Sequence, residues 1–316
     1  GCFAETAESR DAPDMVDIII HIGQAKTGTT AIQNFLAKNK HVLLDQGILY
    51  PHTGRVSENS NNHWPFFTSM CQRPELMQAQ AHQACLPPHA YSNLLQAEIS
   101  SFNARTVILS CEAVFSPAFN VESLEQIKSH LGFGHIKIVC ILRAQDAMLE
   151  SSYAQRVAGP QRLGESPNTH YRTQLERGIF DYEKRLLDFE AVFGYDQVHV
   201  FWYEDSYDDI LAPIRSVAGI DGRREYNILT RDNKRASWFQ ILIISLMNRV
   251  TLKNHTRQFV IRNIIRFEKL LRLTGLEATM NWLFRPYTDR LKKELQDRWR
   301  NSNERVSKRY KTGRNF

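Results

Sequence analysis

Asp17-Ile18-Ile19-Ile20-His21-Ile22-Gly23-Gln24-Ala25-Lys26-Thr27-Gly28-Thr29-Thr30-Ala31-Ile32-Gln33-Asn34-Phe35-Leu36 is the stretch that decides the fold. Three consecutive isoleucines and Ile22 form a β-branched run of the kind that fills a buried parallel strand. Gly23 ends it. Gln24 to Thr30 reads as a turn, and Ala31 to Lys40 shows helical apolar spacing at Ile32, Phe35 and Leu36. Strand, glycine turn and helix together make an anion site. The turn aims backbone N–H groups outward, and the helix N-terminus adds partial positive charge. Lys26 adds a full charge, and Thr27, Thr29 and Thr30 add hydroxyls. A tight turn capped by threonines, with Lys26 merely solvated, is the other reading of the same residues.

A Walker loop places its lysine after the second glycine, as G-x-x-x-x-G-K-[ST]. Here Lys26 precedes Gly28. A second motif follows a later apolar run: Leu142-Arg143-Ala144-Gln145-Asp146, with Ser151 eight residues after Arg143. A guanidinium at a strand end can hold a phosphate bidentately, and a hydroxyl near a helix start can complete the shell. Pairing of Arg143 with Asp146 is the alternative. A third run, Phe201-Trp202-Tyr203-Glu204-Asp205, ends another strand with an aromatic residue suited to lie beside a purine.

Taken together, Lys26-Thr27-Gly28-Thr29-Thr30, the Arg143/Ser151 pair and Tyr203-Glu204-Asp205 resemble the donor-binding elements of sulfotransferases, most closely the bacterial glycan-modifying kind. The likeness spans most of Ile18 to Ile220. It implies 3′-phosphoadenosine-5′-phosphosulfate (PAPS) as cofactor, with PAP as product and no metal. It places Gln24, Ala25, Lys26, Thr27, Gly28, Thr29 and Thr30 around the phosphosulfate, and Arg143 and Ser151 on the 3′-phosphate. Tyr203 would lie beside the adenine. The Arg-Lys-Gly element of cytosolic relatives is absent as such, and Lys234 and Arg235, within Arg231-Asp232-Asn233-Lys234-Arg235, are the candidates to replace it. Lys26 would also act in catalysis by meeting charge on the leaving phosphate. Glu112, at a strand end between the two motifs, is the candidate general base. His63, in Asn61-Asn62-His63-Trp64, is the rival base or an acceptor contact. A helix-capping carboxylate and a solvated loop histidine are the plainer readings of these two.

Strands expected at Val16–Ile22, Thr106–Cys111, Ile136–Leu142 and Gln197–Tyr203 alternate with helices. This predicts an α/β, P-loop-like three-layer fold: a central parallel sheet flanked by helices, with its ligands at the carboxyl strand ends. Residues 1–14 read as a disordered segment, 15–237 as the α/β domain, and 238–316 as a basic helical extension packed on it. Helix Phe180–Phe193 should close at Gly194 in the left-handed conformation, and Gly159–Thr169 reads as a loop.

The 316 residues can bury a substantial core. Forty Lys and Arg against 34 Asp and Glu give a mildly basic chain, which suits an anionic ligand but is too weak to argue for nucleic acid. The five cysteines make no disulfide framework, although Cys71 and Cys85 could pair. Gly1-Cys2 is either the mature end of a lipoprotein or a non-native terminus. No run reaches about 18 apolar residues, so no membrane span is predicted and a cytoplasmic location is expected. The basic, apolar helix around Ile261–Arg272 is either a surface helix packed on the core or one lying on an anionic membrane. The expected partner is a glycan, glycolipid or other hydroxyl-bearing acceptor. The competing classes are a nucleotide kinase or NTPase, which needs a Walker lysine, and a non-enzymatic membrane-associated binding protein.

Overall fold

The computed structural model describes residues 15–24, 27–55, 61–71, 85–159, 162, 164–206, 209–227, 236–250, 254–314 and 316. The expectations placed on 1–14, Ala25, Lys26, Lys234 and Arg235 lie outside the described residues.

Five strands form one sheet in the order β2-β3-β1-β4-β5, parallel throughout: β1 Val16–Gly23, β2 Ile48–Leu49, β3 Thr106–Ser110, β4 Gly134–Leu142 and β5 Val198–Trp202. The isoleucine run therefore lies at the centre, with both faces covered. On one face Ile18, Ile20 and Ile22 meet Leu95 of α4 (Pro88–Phe102), Leu124 of α5 (Val121–His130) and Phe189 of α8 (Tyr182–Phe193). On the other, Ile19 packs with Ile32 and Phe35 of α1 (Thr29–Lys38) and Ile214 of α9 (Ala212–Ala218). Full burial of each such side chain contributes about 1.5–3 kcal/mol. The two short helices between them are α2 (Lys40–Leu44) and α3 (Trp64–Thr68).

A third cluster joins Met148, Leu149 and Val157 of α6 (Gln145–Ala158) to Ile241 and Ile244 of α10 (Trp238–Asn248) and to Leu295. Leu295 lies on α13 (Asp289–Arg309), which follows α11 (Asn254–Leu273) and α12 (Glu277–Leu283). Helix α13 also reaches the turn after β4. Gln145 and Asn303 exchange two amide hydrogen bonds, each 2.9 Å, across 158 residues of sequence.

Three local expectations change. Residues expected to be the end of a loop, from Pro167, open helix α7 (Pro167–Glu176), because Ser166 caps it by accepting the Thr169 N–H at 3.1 Å. Gly194 does end α8 at positive φ, but its φ 95°, ψ 146° lies outside the left-handed helical region. Cys71 and Cys85 are both free thiols, and Cys71 donates to the Ala118 carbonyl. No helix among the described residues is long and apolar enough to cross a membrane.

Candidate functional site

The register brings the motifs to one sheet edge. His21 is level with Ser110, Gly23 with Ile141, and Leu142 with Trp202. Glu112, Arg143 and Tyr203 therefore emerge side by side around the end of β1, where the chain order reverses between β3 and β4.

Gly23 sits against β4. An added Cβ there would meet the Ile141 carbonyl oxygen at 2.3 Å, and the Gln24 N–H donates to that same oxygen at 3.0 Å. The Gln24 side chain donates to the Ile179 carbonyl at 3.3 Å. The Thr27 hydroxyl donates to the Gln24 carbonyl at 2.8 Å and is fully buried, so it turns into the loop and not outward as expected. Thr29 is buried and Thr30 exposed. Gly28, at φ 76°, is the N-cap of α1, and having no side chain it leaves the first-turn donors of the helix uncapped. The Ile210 side chain already occupies the space beside it: a Cβ at Gly28 would lie 1.6 Å from Ile210 Cδ1 and 3.6 Å from Tyr203 Cε2.

Tyr203 links the two motifs. Its ring edge is beside Gly28, and the Arg143 guanidinium lies over the ring, 5.2 Å from its centroid. Arg143 Nη1 donates to Ser151 Oγ at 3.3 Å, and the Arg143 carbonyl accepts from the Tyr182 hydroxyl at 2.8 Å. Glu204 takes the Ala144 N–H at 3.1 Å and pairs with Arg314 at 3.1 Å, which fixes the turn from the C-terminal side.

Glu112 opens a 3-10 turn, Glu112–Phe115, directly after β3. Gln33 of α1 donates to Glu112 Oε2 at 3.2 Å and to Ser110 Oγ at 3.1 Å. Ser110 Oγ in turn lies 2.9 Å from His21 Nδ1. Buried Arg185 of α8 clamps the far end of the turn, donating to the Val114 and Phe115 carbonyls at 2.8 and 3.0 Å. Gln33, Ser110, His21 and Arg185 were not among the sequence candidates. One signal was there to read: a histidine inside an isoleucine strand needs a polar neighbour, and a serine ends the adjacent strand.

His63 does not meet the expectation of a base or acceptor contact. It is 0% exposed. Its Nδ1 accepts the Ser110 N–H and its Nε2–H donates to the Pro51 carbonyl, both at 3.1 Å. Neither nitrogen remains for a substrate proton, and the ring joins the loop to β3. Burial, with Arg55 adding to it, pulls its pKa down to about 3, and burial does the same to His21. In the unfolded chain each ring titrates near 6.5. Between those values the unfolded state holds more protons, so stability is full above pH 6.5 and falls as the pH drops. We expect urea unfolding to lose about 1.4 kcal/mol per pH unit for each ring from roughly pH 6 to 4. Flat stability across that window would show that these rings are charged in the fold.

No group of three His, Cys, Asp or Glu among the described residues could hold a metal ion.

No family model matches the sequence. An uncharacterized protein of Archaeoglobus fulgidus is 26% identical over 210 residues, which is 65% of this chain and 53% of that protein. The chain thus spans about half the length of that relative. Among solved structures, a sulfotransferase from Alicyclobacillus acidocaldarius aligns over 68% of this chain and 85% of its own, at TM-score 0.47 and 18% identity. The sulfotransferase domain of the Synechococcus PCC 7002 olefin synthase aligns over 79% and 100%, at 0.40 and 14%. The sulfotransferase domain from the curacin biosynthetic pathway aligns over 66% and 73%, at 0.38 and 13%. None of these scores reaches 0.5.

Proposed function

We propose that this chain is a PAPS-dependent sulfotransferase, acting on a hydroxyl or amine of a glycan, glycolipid or similar acceptor. The observation that supports it is the approach of Arg143, paired with Ser151, to the uncapped start of α1 through the ring of Tyr203. Two anion-binding elements beside an aromatic ring suit a purine nucleoside that carries anionic groups at both the 5′ and the 3′ position of its ribose.

Bound PAPS would supply an activated sulfuryl group and a phosphate leaving group. The first turn of α1 would hold the phosphosulfate end with Lys26, whose cation meets charge on the departing phosphate. Arg143 and Ser151 would hold the 3′-phosphate, with Tyr203 beside the adenine and Lys234 and Arg235 closing over it. Glu112, oriented by Gln33, would take the proton of the acceptor.

PAP should raise the thermal midpoint of the chain, whereas Mg·ATP should not. Stabilisation by Mg·ATP alone would favour the NTPase reading. Arg143→Ala should weaken PAP binding by about 1.5–3 kcal/mol, the range for a charge-assisted contact. Calorimetry showing unchanged PAP affinity would remove Arg143 from the site.

A further inference from the structure

Helix α11 has two faces that both carry apolar residues, and only one faces the protein. Ile264 and Leu271 are buried, with Glu268 between them. The opposite face holds Phe259, Leu270 and Leu273 at spacings of 11 and 3, so they lie on one side of the helix. Phe259 is 62% and Leu273 84% exposed. Arg262, Arg266 and Lys269, spaced i, i+4, i+7, run beside them, all exposed. Among the described residues these three cations have no acidic partner. The next helix, α12, adds Trp282 at 62% and Leu283 at 57% exposure.

We propose that the outer face of α11, continued by α12, docks on the surface of an anionic lipid bilayer. Single exposed apolar residues are ordinary, but here they share a helix face with a cationic stripe. That combination matches an interfacial helix, with its apolar side chains in the acyl boundary and its cations at the headgroups. Tryptophan is favoured at that depth. The charge selects the occupant. From Thr256 to Leu273 there are five Arg and Lys residues against one Glu, and that Glu is buried. A second copy seated symmetrically on this face would set like charges against one another. A neutral membrane would leave the stripe uncompensated. The inference rests on this helical face alone and not on the reading of the site.

Co-sedimentation of the full 316-residue chain with vesicles tests it. The chain should pellet with phosphatidylcholine mixed with phosphatidylglycerol, and far less with phosphatidylcholine alone. Binding should weaken near 1 M salt, where the screening length is about 3 Å. Replacing Arg262, Arg266 and Lys269 together by Ala should lower vesicle affinity on the order of a hundredfold, at roughly fivefold per cation. Phe259→Ser with Leu273→Ser should also release the chain. Equal pelleting with both lipid mixtures, or with neither, overturns the proposal without variants. So does a concentration-dependent dimer that the serine substitutions disperse, because the face would then belong to a second copy.

Discussion

Replacing Glu112 by Gln should lower kcat by about 10²–10⁴-fold while leaving PAP affinity unchanged. That is the usual worth of a general base. The amide keeps the size of the carboxylate and offers Gln33 the same kind of acceptor, now held at 3.2 Å, so the turn should keep its shape. What is lost is the ability to take a proton, which acts on the transition state and not on ground-state binding. The measurement is kcat at saturating acceptor, with PAP titrated by calorimetry. His63→Ala is the comparison. It strips partners from the Ser110 N–H and the Pro51 carbonyl, each at about 1–3 kcal/mol if left unsatisfied. Its expected effect is a lower midpoint of unfolding with kcat nearly kept in the folded fraction. If Glu112→Gln turns over like the wild type and His63→Ala loses a hundredfold or more, the histidine is the base and Glu112 only caps its turn.

Gly23→Ala should be the most damaging single methyl in the site. The new carbon would lie 2.3 Å from the Ile141 carbonyl oxygen, a backbone atom in the sheet that cannot swing aside. The φ of 153° is also one that side chains disfavour. Relief requires β1 and β4 to part where Gln24 donates to that oxygen. Overpacking ordinarily costs about 1–3 kcal/mol, and with a rigid neighbour we expect the top of that range or more, by urea unfolding. Gly178→Ala is the control. It also has positive φ, at 67°, but an added Cβ meets nothing within 4 Å. It should lose only about 1–2 kcal/mol, the cost of the backbone conformation. Equal losses in the two variants would mean that the contact with Ile141 is not what makes Gly23 necessary.

The sheet was legible because its strands are written in residues that tolerate little else. An isoleucine run ended by a glycine has few alternatives to a central strand, and the alternation of strands with helices predicted parallel pairing. The strand-end positions of Glu112, Arg143 and Tyr203 followed from that alternation. The supports of those residues did not. Gln33 looks like any polar residue in an amphipathic helix, and only the packing of α1 across β3 puts its amide between Ser110 and Glu112. Arg185 reads as a surface arginine until α8 carries it over the Val114 and Phe115 carbonyls. His63 failed as a candidate for the converse reason. A loop position suggested access to solvent, while Pro51 and Ser110, at sequence separations of 12 and 47, close over both nitrogens.

The reciprocal amide bonds between Gln145 and Asn303 also set an order of assembly. A ribosome delivers β1 and β4 early, and with them the contact of Gly23 on Ile141. The turn bearing Arg143 takes a late brace from a residue that emerges 158 positions after Gln145, roughly 10–30 s at ordinary rates of synthesis. Before then, the turn can draw on its bonds to Tyr182 and Glu204. The full set of contacts around the Arg143 turn is therefore complete only once α13 has been made.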